Sequence, residues 1–333
     1  MVCRRNVQQD EALGHPRTAM QARAARLSAH GKPLDVRDVD LADPEAGETV
    51  VDMAYAGVNP VDRYGALGRV APDGPLPRTL GGEGAGTVGD RRVMVRGYGL
   101  GATRDGLWAT QATVPERALI DVPDGVELAV AAAMGIAGVT AWRTVTDMAR
   151  ITAGDRVLVL GASGGVGSIV VSAVKAIGAT VWGQTGSSDK AAWVGERGAE
   201  RVVVGGAAEV VSVAKELCPT AVFDPLGGGF TGAAIEVLEP HGRLVIFGTS
   251  AAPSGEVPIQ QLYRKGLTVH GYAGLLEGDE VMGRHIRDAL EAARDGRLEV
   301  VVDRALPLDD VNDAFDLIES RGLRGKIVLD LSR

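Results

Sequence analysis

The stretch Arg156-Val157-Leu158-Val159-Leu160-Gly161-Ala162-Ser163-Gly164-Gly165-Val166-Gly167-Ser168 decides the fold. Residues 156–160 are mostly β-branched or leucine and read as a fully buried strand. A glycine-dense turn follows. Then Ile169, Val170, Ala173, Val174 and Ile177 recur at helical spacing until Gly178 stops the helix. Ala162, Gly164 and Gly167 fit a G/A-x-G-x-x-G pattern in which each small residue has a task. Ala162 allows the sharp turn, Gly164 lets backbone approach a pyrophosphate, and Gly167 lets helix and strand pack closely. The helix start then directs unpaired N–H groups, including those of Gly165 and Val166, toward phosphate oxygens.

Two other readings compete for the same residues. A strand-to-helix turn can bind nothing. Gly161-Ala162-Ser163-Gly164-Gly165 also spells G-x-S-x-G, the nucleophile elbow of hydrolases, with Ser163 as nucleophile and Asp224 and His241 or His270 downstream. No H-G-G-G-like oxyanion loop precedes it, and an elbow gives no reason for Val166-Gly167. Dinucleotide binding accounts for both.

Working outward, strands are expected at 179–184, 201–204, 220–224, 242–248 and 266–271, with helices beginning near 166, 188, 207, 229 and 258. That alternation predicts an α/β fold with a doubly wound parallel sheet. Upstream, short strands at 22–27, 34–39, 49–56, 86–89, 92–95 and 108–114 predict a β-rich, barrel-like unit. Leu128 to Met148 reads as helical. Two helices, 278–296 and 308–320, precede a closing strand at 326–331 that has no sheet of its own nearby and is expected to return to the first unit. Residues 1–19 are polar and aperiodic, and are expected to be a flexible extension or to lie upstream of an alternative start at Met20.

The chain has 333 residues, enough for two cores, and a net charge of −8 with no basic block suited to nucleic acid. No run of about 18 apolar residues suggests a membrane span, and residues 1–19 lack the apolar segment of a secretory signal. Cys3 and Cys218 are too few and too far apart for a disulfide framework or a cysteine zinc cluster, which suits the cytoplasm.

The second strand bears on the cofactor. An NAD-selective site carries an acid at that strand's tip, about 20 residues after the glycine turn, to bind the ribose 2′-OH. Here the strand ends in Gly183-Gln184-Thr185, without a carboxylate, and Gly186-Ser187-Ser188-Asp189-Lys190 follows. Hydroxyls and a lysine suit a 2′-phosphate, so NADPH is expected, with Thr185 at the tip and Ser187 and Lys190 at the phosphate. The other reading makes Ser187 or Ser188 a helix cap.

The chain resembles the zinc-independent quinone oxidoreductases of the medium-chain dehydrogenase/reductase superfamily over about residues 20–333. The likeness rests on Ala56-Gly57-Val58-Asn59-Pro60-Val61-Asp62-Arg63-Tyr64, Gly81-Gly82-Glu83-Gly84-Ala85-Gly86, Ala137-Gly138-Val139-Thr140-Ala141, the glycine turn, Phe223-Asp224-Pro225-Leu226-Gly227-Gly228 and Gly242-Arg243-Leu244-Val245. The resemblance implies a Rossmann nucleotide domain, 139–272, inside a split, GroES-like catalytic domain formed by 20–138 and 273–333. It also implies a homodimer paired through the strand near Leu267 to Gly271.

Zinc-dependent relatives carry cysteine and histidine where this chain resembles them at Asn59 and Gly82. His15, His30, His241, His270 and His285 show no ligand spacing, so no metal is expected. With no metal ligands to polarise an alcohol, the expected acceptor is a quinone or an α,β-unsaturated carbonyl, whose developing charge spreads onto oxygen. An enoyl-thioester reductase and a non-catalytic NADPH-binding protein are the alternatives. By resemblance, Asn59 and Tyr64 lie beside the nicotinamide, where either Tyr64 or water supplies the proton. Thr140 lies near the same ring, and Phe247, Gly248 and Thr249 form the sheet edge beside it. Arg321 reaches the 2′-phosphate, or else is a solvated helix end. Asp62 and Glu83 are read as residues that orient loops. Some relatives add a tyrosine after the third strand, where Gly205-Gly206 stands here. That departure weakens the expected NADPH affinity.

Overall fold

A computed structural model describes residues 20–320 and 322–332, so the expectation for residues 1–19 lies outside the described residues. The glycine turn sits at the centre of a six-stranded, all-parallel sheet. Its strands lie in the spatial order Arg201–Val204, Thr180–Thr185, Arg156–Val159, Ala221–Asp224, Arg243–Ile246 and Thr268–Gly271. Valine and leucine dominate the central strands because helices cover both faces. Val157, Leu158, Val159, Val222 and Phe223 are fully buried. Strand order reverses beside Arg156–Val159, which places a crevice at the carboxyl ends of the strands there.

A second sheet of seven strands is mixed. Its path runs through Val302–Pro307, Lys326–Asp330, Glu48–Val58, Glu83–Val88, Arg91–Arg96 and Leu119–Asp121, and Gln111–Pro115 pairs with Glu48–Val58 off that path. The chain's last strand is antiparallel to Glu48–Val58, with Ile327 opposite Val58 and Asp330 opposite Tyr55. Both ends of the chain therefore build one sheet, and residues far apart in sequence meet at its rim. A three-stranded sheet, Asp35–Asp40, Gln21–Leu27 and Arg78–Thr79, completes this β-rich unit. Trp108 is fully buried in its core, with Nε1 donating to the Gly57 carbonyl at 3.1 Å.

The segment expected to be one helix from Leu128 to Met148 is broken. Helical turns at Leu128–Ala131 and Val139–Arg143 alternate with wider π-turns at Met134–Gly138 and Thr144–Met148. The Ile136 N–H in the first π-turn donates to Glu83 Oε2 at 2.7 Å, drawing the helix onto the neighbouring sheet. In the second region the Thr144 and Thr146 hydroxyls bond back to the carbonyls of Thr140 and Trp142. The strand Val302–Pro307 was not expected from sequence, because Asp303 and Arg304 interrupt its apolar pattern.

Candidate functional site

The turn after Arg156–Val159 is shaped for close approach. Gly161 adopts φ +58°, and a Cβ added at Gly167 would lie 2.3 Å from the Gly161 carbonyl oxygen, so only glycine fits there. The helix Gly165–Ile177 begins after Gly164 with no described side chain capping it. Its first N–H groups are thus open to an anion at the crevice. Gln184 braces the turn, accepting from the Gly161 N–H at 2.9 Å and donating to the Gly205 carbonyl at 2.6 Å. The Ser163 hydroxyl lies 3.3 Å from that of Thr185, and both residues are buried. Asp224 accepts from the N–H groups of Leu226 and Gly227 and from the Thr231 hydroxyl. Ser163 therefore faces a threonine and Asp224 serves its own turn, which is not the arrangement of a nucleophile, a histidine and an acid.

At the second strand's tip, Ser187 is extended and precedes a short 3-10 turn, Ser188–Lys190. Lys190 is buried rather than projecting. Arg324, which sequence reasoning passed over, reaches Asp189 with Nη2 at 3.4 Å from Oδ2 and 3.2 Å from the backbone carbonyl. The Ser187 hydroxyl and then Arg324 hold the Asp189 carboxyl below its usual range. Arg321 lies outside the described residues. The Gly325 N–H donates to the Ser163 carbonyl at 3.2 Å, tying the C-terminal segment to the glycine turn.

Across the crevice, a buried polar cluster surrounds Asn59. Its Nδ2 donates to Glu83 Oε1 at 2.6 Å, its Oδ1 accepts from Lys326 Nζ at 2.5 Å, and its backbone N–H donates to Asp62 Oδ2 at 2.8 Å. Lys326 Nζ also donates to the Val58 carbonyl at 3.1 Å and stands 3.9 Å from Glu83. Both ends of the Asn59 amide are committed, so the residue shapes the site rather than offering a free donor. Burial, and then the neighbouring Glu83 charge, push the Asp62 carboxyl up to about 7. Burial lowers the Lys326 ammonium from its ordinary value. Lys326 was missed from sequence because a lysine opening an apolar strand reads as a solvated end. Its stem packs on Gly165, where an added Cβ would lie 2.8 Å from Lys326 Cδ.

Tyr64 projects from the helix Pro60–Ala66 and is 39% exposed, with no hydrogen bond from its hydroxyl to a described residue. The Thr140 hydroxyl likewise has no such partner, whereas Thr144 bonds back along its helix. Phe247, Gly248 and Thr249 follow the strand Arg243–Ile246 at its carboxyl end. Gly248 packs on Pro225, where an added Cβ would lie 2.7 Å from the carbonyl oxygen. The glycine turn and the 247–249 segment thus share the carboxyl edge of the parallel sheet. Asn59 and Tyr64 lie just after the strand Glu48–Val58 of the other sheet, Tyr64 on the helix Pro60–Ala66, and Asn59 is joined to the turn through Lys326. Among the described residues, no group of three or more His, Cys, Asp or Glu side chains could hold a metal ion.

The family model described as "Zinc-binding dehydrogenase" matches residues 165–293. The chain is 27% identical over 333 residues to a quinone oxidoreductase of Pseudomonas aeruginosa, covering 92% of this chain and 99% of that one. It is 30% identical over 321 residues to a phenolphthiocerol/phthiocerol polyketide synthase of Mycobacterium tuberculosis; this covers 90% of the chain but only 14% of that much longer protein. Among solved structures, the quinone oxidoreductase of Thermus thermophilus, determined also in complex with NADPH, superposes with a TM-score of 0.80 at 28% identity, covering 93% of this chain and 100% of that one.

Proposed function

This chain belongs to the zinc-independent quinone oxidoreductase family of the medium-chain dehydrogenase/reductase superfamily, and we propose that it reduces quinones or α,β-unsaturated carbonyl compounds with NADPH. The observation that carries the reading is the helix start at Gly164–Gly165, with no described side chain capping it, at the carboxyl edge of the parallel sheet and beside Lys326 of the Asn59 cluster. The proposed diphosphate partners are the backbone of Ala162 to Gly167. The proposed 2′-phosphate partners are Ser187, Arg324 and, by its stem and position, Lys190.

Bound NADPH supplies a hydride for the acceptor carbon. The chain's own contribution is to hold the two reactants in register and to meet the negative charge that develops on the acceptor oxygen. Tyr64 is the proposed donor to that oxygen, since its hydroxyl is accessible and makes no hydrogen bond to a described residue. Lys326, Glu83 and Asp62 keep Asn59 fixed as one wall of the site. Thr140 and the 247–249 segment are the proposed nicotinamide contacts.

A panel of quinones and enones assayed with NADPH tests the activity. The expected result is NADPH oxidation with matching loss of acceptor. Tight NADPH binding without turnover of any acceptor would leave only the binding function.

The proposed assembly is a homodimer. Among the described residues, strand Thr268–Gly271 is the outer strand of its sheet and leaves one edge unpaired. Val269, Ile259, Tyr263, Leu275 and Leu276 form exposed apolar surface on and around it. Light scattering is expected to give twice the chain mass, and a strict monomer would contradict the dimer.

A further inference from the structure

At the end of the strand that carries Arg96 lies a half-open cavity of about 480 Å³. It is bounded by residues 96–98, by 117–120 and by the first two turns of the helix Asp279–Arg294. Its floor is apolar, with Ile120, Met282 and Ile286 buried. Its walls carry four arginines, Arg96, Arg117, Arg284 and Arg287, against two acids, Asp279 and Glu280. None of the four arginines forms an ion pair or a side-chain hydrogen bond with a described residue. Arg117 instead lies over the Tyr98 ring, 4.6 Å from its centre. Asp279 is already engaged, its Oδ1 accepting the Tyr98 N–H at 3.0 Å.

The Nε atoms of Arg26, Arg96, Arg143 and Arg197 are all buried without a hydrogen-bond partner among the described residues. Arg96 differs from the other three in that they reach a carboxylate through Nη, whereas it forms no ion pair with a described residue. Burial also lowers its guanidinium from the ordinary value, although Glu83, Tyr272, Asp279 and Asp62 act in the opposite sense. A buried guanidinium nitrogen without a partner is costly, and such groups are ordinarily hydrogen-bonded. Elsewhere in this molecule arginines find carboxylates, as Arg143 does with Asp147 and Glu277. Here the cavity has positive charge in excess, a planar donor fork on each wall, and room for a small molecule.

We propose that this cavity binds a small organic polyanion through phosphate or carboxylate oxygens. Arginine suits both groups because its fork matches them with two parallel hydrogen bonds. The apolar floor favours a ligand with a carbon body rather than a bare ion. The residues that line the cavity include none of the glycine turn or of the 247–249 segment. The cavity stays linked to the nucleotide crevice through one strand pairing, since Arg96 lies opposite Glu83 and Glu83 holds Asn59.

The test is calorimetric titration of the full chain with inorganic pyrophosphate and, separately, with citrate. These distinguish phosphate from carboxylate as the source of the anion. Three proteins are compared: wild type, the double variant Arg284→Gln/Arg287→Gln, and Lys190→Gln, which alters the nucleotide crevice instead. Arg284 and Arg287 are exposed, so the double variant is expected to fold, as circular dichroism will show. The proposal expects at least one anion to bind wild type and Lys190→Gln alike and to bind the double variant at least about tenfold more weakly. Equal binding to the double variant, loss of binding in Lys190→Gln alone, or no binding of either anion to wild type would overturn it. None of these outcomes depends on NADPH or on turnover, so the reductase reading stands or falls separately.

Discussion

Lys326 Nζ donates to Asn59 Oδ1 at 2.5 Å, joining the last strand of the chain to the loop that follows the strand Glu48–Val58. Both residues are buried, and the lysine's stem rests on Gly165 at the start of the nucleotide helix. One side chain therefore touches both walls of the crevice. Removing one member of a buried charged network leaves its partners unpaired, at a cost of about 3–5 kcal/mol. Lys326→Met is expected to lower stability by that order, read from urea unfolding. Lys326→Arg, which keeps the charge, is expected to lose less. Near-equal stability of Lys326→Met and wild type would show that the ammonium does not hold the cluster together.

Asp62 gives a pH signature. Its carboxyl rises from 3.8 to about 7 in the folded chain, chiefly through burial and then through Glu83. The folded state thus holds this proton more tightly than the unfolded state. The contribution to stability is fully present below the unfolded value and is lost as pH rises through the folded one, with a slope of up to about 1.4 kcal/mol per pH unit between them. Asp62→Asn keeps an acceptor for the Asn59 N–H and removes the titration. Unfolding measured at pH 5 and pH 8 is expected to show a smaller fall for Asp62→Asn than for wild type. Parallel curves would place the titrating group elsewhere.

The parallel sheet was legible because its strands are short apolar runs ended by glycine. The strand expected at 156–160 is seen at Arg156–Val159, and that expected at 201–204 is seen at Arg201–Val204. The glycine turn was legible for a similar reason, since its small residues all fall within one strand–turn–helix unit. What escaped depends on long-range meeting. Lys326 acquires its partners from a strand nearly 270 positions earlier. Arg324 meets Asp189 only because the C-terminal segment crosses the turn. The four arginines of the cavity beside Arg96 come from three separate segments. The π-turns in 134–148 escaped because the Ile136 N–H answers to Glu83, a residue of another sheet, rather than to helical periodicity.

The two key glycines of the turn are expected to fail differently. A methyl at Gly167 would meet the Gly161 carbonyl oxygen at 2.3 Å, whereas at Gly164 its nearest neighbour is that same oxygen at 3.3 Å. Gly164 also has extended backbone that alanine accepts, φ −80° and ψ 173°. Gly167→Ala is therefore expected to cost stability, by about 1–3 kcal/mol. Gly164→Ala is expected to leave unfolding nearly unchanged while weakening NADPH binding about tenfold or more, because the new methyl occupies the space of the diphosphate. Fluorescence titration with thermal unfolding separates the two. If Gly164→Ala binds NADPH as wild type does, the diphosphate lies elsewhere.

Tyr64→Phe removes a hydroxyl that makes no hydrogen bond to a described residue, so stability is expected to change little. If that hydroxyl meets the developing charge on the acceptor, kcat is expected to fall by about a hundredfold, with NADPH binding unchanged. A solvent isotope effect on kcat compared between the two proteins checks the proton's origin. An unchanged rate and isotope effect would assign the proton to water.

The proposed 2′-phosphate site includes the exposed pair of Arg324 and Asp189. The pair is solvent-screened and contributes little to stability, so its value lies in what else the guanidinium can reach. A 2′-phosphate beside Ser187 would compete with Asp189 for Arg324 and win on charge. Arg324→Gln is then expected to weaken NADPH binding about tenfold, the loss of one charge-assisted contact, and to leave NADH binding unchanged. Asp189→Asn removes the competitor and its repulsion, so NADPH is expected to bind a few-fold more tightly than to wild type, about what relief of one exposed like charge gives. The sign of the second effect is the sharper check. If Asp189→Asn weakens NADPH, or if both variants shift NADH and NADPH equally, the pair is a surface contact and the 2′-phosphate is read by other groups.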